Sequence, residues 1–128
     1  MIIEINTQSA LPIYGQLRDQ IVLGIAAGKL VPGEVLPSVR RLAADLGINF
    51  HTVNKAYSML CDEGFIVMDR RRGAVAAQSM EKNGEFLAGL SEKLVITAAE
   101  AVCRNLDEKD FAALCRDCYR AAHSGGGM

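Results

Sequence analysis

The stretch LPSVRRLAADLGINFHTVNKAY, residues 36–57, decides the fold that this sequence predicts. Two short segments with helical apolar spacing flank Gly47, which indicates two helices joined by a tight turn. Ser38 and Asn49 stand where these helices would begin, and both side chains can cap a helix N-terminus. The layout predicts a helix-turn-helix, in which the N-terminal end of the second helix is offered to the DNA major groove.

The apolar spacing in and after this stretch separates a buried face from an exposed one. The side chains predicted to face inward are Val39, Leu42, Ala43, Leu46, Ile48, Val53, Tyr57 and Leu60. The side chains left to solvent or to DNA are Arg40, Arg41, His51, Thr52, Asn54, Lys55 and Ser58.

The segments on either side complete a small domain. Before residue 36, a helix is expected from about Pro12, with Ser9 as its cap, an apolar stripe through Leu17 and Ile21, and Gln16 off that stripe. Residues 3–5 alternate as a short strand would. After Gly64, residues 65–68 and 74–77 predict two strands around a charged turn at residues 69–73. Together, residues 1–79 predict a winged helix-turn-helix domain.

Residues 80–128 predict a second segment of two helices. One helix is expected over residues 82–104, although Gly84 and Gly89 count against this prediction because glycine is a poor helix former. Asp107 caps a second helix through about Ala122, and residues 124–127 form a flexible glycine-rich tail. One apolar stripe of the long helix needs a partner surface, which is either a second copy of the chain or the chain's own N-terminal domain. The predicted dimer contacts are Leu87, Leu90, Leu94, Ala98 and Ala101. The expected fold class is therefore mainly α with a small β-hairpin.

Composition narrows the classes of protein that fit. The chain has 128 residues, 50% of them hydrophobic, and a net charge of −1. Its basic excess lies within residues 38–73, and local phosphate contacts rather than total charge determine DNA binding. The apolar runs are short for a membrane span, and the N-terminus lacks the pattern of a signal peptide, so a cytoplasmic protein is expected.

Several fixed spacings resemble one known family. They are residues 11–17 (LPIYGQL), 28–34 (GKLVPGE), 36–40 (LPSVR) and 52–57 (TVNKAY). This set resembles the GntR family of bacterial transcription regulators, and the short C-terminal part resembles its YtrA-type branch. The resemblance implies a winged-helix DNA-binding domain and dimerisation through the two C-terminal helices. The wing departs from the family's Gly-x-Gly-Thr pattern, because Arg71 stands at the first glycine position and Ala74 at the threonine, while Gly73 remains.

The resemblance and the helix geometry select the same candidate DNA contacts. These are Arg40, Arg41, Asn49, Phe50, His51, Thr52, Asn54, Lys55, Arg70, Arg71, Arg72 and Gly73. Arg40 is expected either to bond guanine or to grip a phosphate, and Phe50 either to touch a thymine methyl group or to pack. The wing arginines are expected in the minor groove, whose negative potential favours arginine.

The predicted function is a homodimeric transcription regulator that binds an inverted-repeat operator of double-stranded DNA. A repressor is favoured over an activator. No cofactor and no metal are predicted, and a small-molecule effector is left unidentified. An enzyme is not predicted, because no constellation offers nucleophile, base and orienting group.

Two alternatives stay open at this stage. A thiol- or metal-responsive regulator would use Cys115 and Cys118, although their helical spacing favours small apolar core residues. A protein-interaction module would present an apolar recognition surface, and the exposed polar set of the second helix argues against it.

Overall fold

The computed structural model describes residues 2–125, which form five helices and one two-stranded sheet. The elements are α1 (Ile13–Ala26), α2 (Val39–Leu46), α3 (Phe50–Glu63), β1 (Ile66–Asp69), β2 (Gly73–Ala76), α4 (Gly84–Cys103) and α5 (Glu108–Ser124). The chain divides into two compact units after Met80. The predicted class, mainly α with a small β-hairpin, is confirmed.

The core of the first unit lies where α1 meets α3. Leu17 and Ile21 of α1 and Val53 and Leu60 of α3 have no exposed surface. The remaining side chains predicted to face inward are buried or packed against this core, which confirms the expected face of each helix. Fully burying one such side chain stabilises the fold by about 1.5–3 kcal/mol.

The two helices of the helix-turn-helix begin and end as the sequence predicts. Ser38 Oγ accepts a hydrogen bond from the Arg41 backbone N–H at 3.1 Å, and Asn49 Oδ1 accepts one from the His51 N–H at 2.7 Å. Gly47 follows α2 with φ at 66°, a left-handed conformation that glycine adopts without strain. These local contacts fix where α3 starts.

The N-terminal segment differs from its prediction. Residues 3–5 form no strand; Gln20 instead bonds the backbone N–H and C=O of Glu4, and Gln16 bonds those of Asn6. Gln16 was expected off the buried stripe but is only 8% exposed, and its amide nitrogen also donates to the Leu11 carbonyl. Two amide side chains one turn apart on α1 thus form the hydrogen bonds with the backbone groups of Glu4 and Asn6 that a neighbouring strand would otherwise form.

The predicted cap of α1 was also wrong. Pro12 occupies the cap position without a side-chain hydrogen bond, and Ser9 Oγ accepts from the Leu11 N–H, outside the helix. Proline suits this place, because the first N–H groups of a helix have no partner within the helix.

Both strands of the β-hairpin differ by one residue from their predicted bounds: β1 starts and ends one residue later, and β2 starts and ends one residue earlier. β1 and β2 are antiparallel, with Ile66 opposite Ala76 and Asp69 opposite Gly73. Backbone hydrogen bonds from Leu36 N to Ala74 O and from Ala76 N to Glu34 O attach β2 to the segment before α2. The hairpin is therefore tied by its backbone to the segment that leads into α2.

The second unit consists of α4 and α5. Asn83 and Asp107 cap the two helices, and Asn105 in the turn has φ at 65°. α4 starts two residues later than predicted, and Ser124 belongs to α5 rather than to the tail, of which Gly126 and Gly127 lie outside the described residues. Neither helix has a buried residue. No helix within residues 2–125 is long and apolar enough to cross a membrane.

Candidate nucleic-acid interface

The N-terminal end of α3 presents polar side chains on the face opposite the core. His51, Asn54 and Lys55 are exposed, and Thr52 is half-buried. Asn49 is exposed as well, but its side-chain oxygen Oδ1 caps the helix. The side-chain nitrogen Nδ2 is therefore the part of Asn49 that remains for another partner. The exposed side of the predicted recognition helix is thus rich in hydrogen-bonding groups.

Arg40 and Phe50 meet where α2 and α3 approach each other. The Arg40 guanidinium carbon lies 5.2 Å from the centre of the Phe50 ring, within the range of a cation–π contact. The Phe50 ring also meets the His51 ring edge to face, with centres 5.6 Å apart. Arg41 differs from Arg40, because it forms a 3.7 Å ion pair with Asp45 of its own helix.

Lys55 has an aromatic neighbour that the sequence did not reveal. Its ammonium group lies 4.0 Å from the centre of the Tyr14 ring, at the start of α1. Helical spacing cannot show this contact, because the two residues lie on different helices 41 positions apart in the chain. The contact holds the Lys55 ammonium group beside the N-terminal end of α1.

Asp69 organises the tip of the hairpin. Its carboxylate accepts hydrogen bonds from the backbone N–H groups of Arg71 and Arg72, at 2.8 and 3.0 Å. These bonds hold the pKa of Asp69 below its usual value, and the nearby Arg72 guanidinium lowers it further. Gly73 completes the turn with φ at 82°.

The three wing arginines are therefore not equivalent. The Arg72 guanidinium lies 3.4 Å from the Asp69 carboxylate and 3.5 Å from the Gly33 carbonyl oxygen. Arg70 and Arg71 are exposed, and within residues 2–125 neither forms an ion pair. The sequence offered no way to distinguish them.

Tyr57 connects α3 to the residue before Ser38. Its hydroxyl donates a 2.7 Å hydrogen bond to the Pro37 carbonyl, and its side chain is buried. Burial raises the pKa of Tyr57 to about 12. This bond links the entry of α2 to the middle of α3 and so steadies the angle between the two helices.

The predicted dimer contacts of α4 line an open apolar groove of the second unit. The groove has a volume of about 400 Å³ and is lined by Leu87, Leu90, Ser91, Leu94, Val95, Ala98, Phe111 and Cys115. Ala101 is half-buried but does not line it. Sequence reasoning missed that Phe111 and Cys115 of α5 share this face with α4.

Three of the four cysteines lie outside the core, whereas Cys61 is half-buried and packs against it. Cys103, Cys115 and Cys118 are exposed, so the prediction that Cys115 and Cys118 pack in a core is wrong for the single chain. No cluster of three or more His, Cys, Asp or Glu side chains within residues 2–125 could hold a metal ion. The thiol- or metal-responsive alternative stays a prediction.

The family profile described as "Bacterial regulatory proteins, gntR family" matches residues 12–75, which contain all of α1, α2 and α3 and most of the hairpin. The chain belongs to the gntR family. The HTH-type transcriptional repressor YtrA of Bacillus subtilis is 40% identical to it over 77 residues, which cover 60% of this chain and 59% of that protein. The GntR-family chain is thus a DNA-binding transcription regulator and not an enzyme.

Solved structures agree with this assignment. A transcriptional antiterminator from Listeria monocytogenes EGD-e superimposes on the GntR-family chain with a TM-score of 0.87 and 31% identity, covering 100% of this chain and 96% of that one. The DNA-binding domain of AraR, solved in complex with operator ORX1, gives a TM-score of 0.53 and 28% identity over 59% of this chain and 96% of that one.

The buried tyrosine predicts how the stability of this GntR-family protein depends on pH. The pKa of Tyr57 is raised from 10.0 to about 12, so its contribution is complete below pH 10 and is lost as the pH rises from 10 to 12. In Tyr57→Phe we expect this part of the alkaline loss to disappear. The substitution itself should lower the free energy of unfolding at pH 7 by about 0.5–1.5 kcal/mol, because the bond to Pro37 is lost.

Urea unfolding of both proteins between pH 7 and pH 11.5 measures these effects. Tyr119→Phe is the matched control, because Tyr119 is exposed. An equally steep alkaline loss in Tyr57→Phe and in the unsubstituted protein would contradict the assignment.

Proposed function

We propose that this GntR-family protein is a homodimeric repressor that binds an inverted-repeat operator. The observation that carries the proposal is the exposed polar end of α3, together with three arginines of the first unit that have no carboxylate partner within residues 2–125. These cations are Arg40, Arg70 and Arg71.

Base readout is assigned to the N-terminal end of α3 and to Arg40. Arginine bonds guanine through two parallel N–H donors, and His51, Thr52 and Asn54 offer donors and acceptors to base edges or phosphates. Arg41 and Lys55 are assigned to the phosphate backbone, which positions the protein without reading sequence. Asn49 serves chiefly as a cap.

The wing is assigned to the minor groove. Arg70 and Arg71 extend from a turn that Asp69 holds, and the negative potential of the minor groove attracts arginine. Gly73 keeps the turn tight. Arg72 is assigned a structural part, because its guanidinium already contacts Asp69.

Dimerisation is assigned to the second unit. α4 and α5 contain no buried residue, and two helices alone cannot enclose a core. The apolar groove between Leu87 and Phe111 offers a surface that a second copy would cover. Two recognition helices related by a dyad reach successive major grooves about 34–36 Å apart, which requires an inverted repeat.

Repression follows from occupancy, because a dimer on an operator excludes other proteins from the same DNA. The relative YtrA is named a repressor, which supports repression rather than activation. Since its ligand is chromosomal DNA, the proposed location is the cytoplasm. The effector stays unidentified, and no cofactor is assigned.

Selection of bound duplexes from a random DNA pool tests the proposal. We expect an enriched inverted repeat with half-site centres about 10 bp or a multiple of that apart, because the dyad sets their spacing. Sequencing of the bound fraction is the measurement. An enriched single half-site would contradict the dimer, and no enrichment at low salt would contradict sequence-specific binding.

Substitution in the groove tests the dimer. Leu94→Asp places a carboxylate on the proposed interface, and we expect the dimer dissociation constant to rise at least about tenfold, because burying an unpaired charge is unfavourable. Sedimentation equilibrium is the measurement. Ile96→Asp is the matched control, since Ile96 is an exposed apolar residue of α4 outside the groove. Equal weakening by both variants, or by neither, would contradict the assigned face.

Alanine substitution separates the wing arginines. Arg71→Ala should weaken binding to all duplexes by a similar factor and reduce the slope of log K against log salt by about one, because the minor groove loses one cation that lies between its two rows of phosphates. Arg72→Ala should change the slope less, since Asp69 already neutralises that guanidinium. Fluorescence anisotropy titrations between 50 and 200 mM salt compare them. A larger slope change for Arg72→Ala would refute the assignment.

A further inference from the structure

We infer that Phe50 is a positioning residue for base recognition: its ring fixes the direction of the Arg40 guanidinium before DNA is bound. The inference rests on the proposed function, because it assumes that Arg40 reads a base pair. It assigns Phe50 a role that helix spacing alone left open between touching DNA and packing.

Phe50 is not explained as a core residue. It is the first residue of α3, its side chain is 39% exposed, and it is absent from the buried cluster and from the side chains packed against it. An aromatic ring in this place exposes apolar surface at the end of the helix that faces DNA. Its contacts with Arg40 and His51 are the cation–π and ring–ring contacts found for it within residues 2–125.

Arg40 depends on that ring more than another arginine of this chain depends on its aromatic neighbour. Arg18 lies 5.4 Å from the centre of the Phe65 ring, but carboxylates of Asp19 and Glu63 hold it at 3.0 and 2.6 Å. Within residues 2–125 Arg40 has no such ion pair, and the Phe50 ring is its one partner. The ring therefore decides where the Arg40 guanidinium points.

The backbone of Phe50 is itself well fixed. Asn49 caps the helix through the His51 N–H at 2.7 Å, so the first turn of α3 has a defined geometry. The His51 ring meets Phe50 at an interplanar angle of 82° and restricts the rotation of the Phe50 ring. The cap thus fixes the backbone from which the Phe50 ring projects, and the ring in turn fixes the position of the Arg40 guanidinium.

Such ordering affects both affinity and selectivity. A free arginine side chain loses rotamer freedom when it bonds a base, and a guanidinium already held over a ring loses less. The planar guanidinium can keep its face on the ring while its edge donates to guanine, since the two contacts use different parts of the group. Removing the ring should therefore lower preference at the one base pair that Arg40 reads.

The test compares variants of the full chain on the operator selected by the unsubstituted protein, together with all single base-pair changes. Arg40→Ala should lose about 5- to 100-fold and flatten the preference at one base pair. Phe50→Leu should lose about 2- to 5-fold and flatten preference at the same base pair. Phe50→Tyr keeps a ring and should retain the preference. In an Arg40→Ala background, Phe50→Leu should cause no further loss.

Two controls separate this role from the alternatives. Phe65→Leu removes the ring of the other arginine–phenylalanine pair and should lower the melting temperature while leaving base preference unchanged. Operators in which uracil replaces each thymine in turn test for a direct contact with a methyl group. If one such replacement weakens the unsubstituted protein but not Phe50→Leu, Phe50 touches DNA itself and the inference is wrong.

The remaining outcomes are also decisive. Additive losses for Arg40→Ala and Phe50→Leu, or an unchanged base preference in Phe50→Leu, would overturn the positioning role while the proposed function stands. If the unsubstituted protein selects no sequence, the proposed function fails, and this inference fails with it.

Discussion

Val53, Ala56 and Leu60 hold α3 in the core, with no part of them exposed, and the proposed DNA-binding surface depends on this anchorage. Each side chain of a helix is separated from the next by about 100°, so a fixed buried face also fixes the exposed one. His51, Asn54 and Lys55 face outward because Val53 and Ala56 face inward. The Tyr57–Pro37 hydrogen bond and the two caps then set where α3 lies against α2.

Carboxylates sort the arginines of the first unit into two groups. Arg18, Arg41 and Arg72 each have an acidic neighbour, whereas Arg40, Arg70 and Arg71 have none within residues 2–125. A protein with a net charge of −1 has little general attraction for DNA, so in the proposed complex such local cations supply the electrostatic contribution. The distribution of acidic partners thus matters more than the count of basic residues.

The second unit follows a different constraint. Its helices are capped by Asn83 and Asp107 and are locally complete, but they enclose no buried side chain. Their apolar groove combines residues of α4 with Phe111 and Cys115 of α5. In this unit the single chain forms its two helices but does not bury their apolar surface.

The sequence by itself determined what depends on near neighbours: helix caps at Ser38 and Asn49, the glycine turn at Gly47, the buried faces of α2 and α3, and the hairpin. Only the tertiary structure decided which side chains meet across elements. It showed Gln16 pairing the backbone of Asn6, Tyr14 against Lys55, Phe50 against Arg40, and Arg72 paired with Asp69, while Arg71 has no ion pair within residues 2–125. The physical reason is range. Caps and helical periods act over a few residues, whereas contacts between elements depend on angles and side-chain directions that packing of the whole core sets.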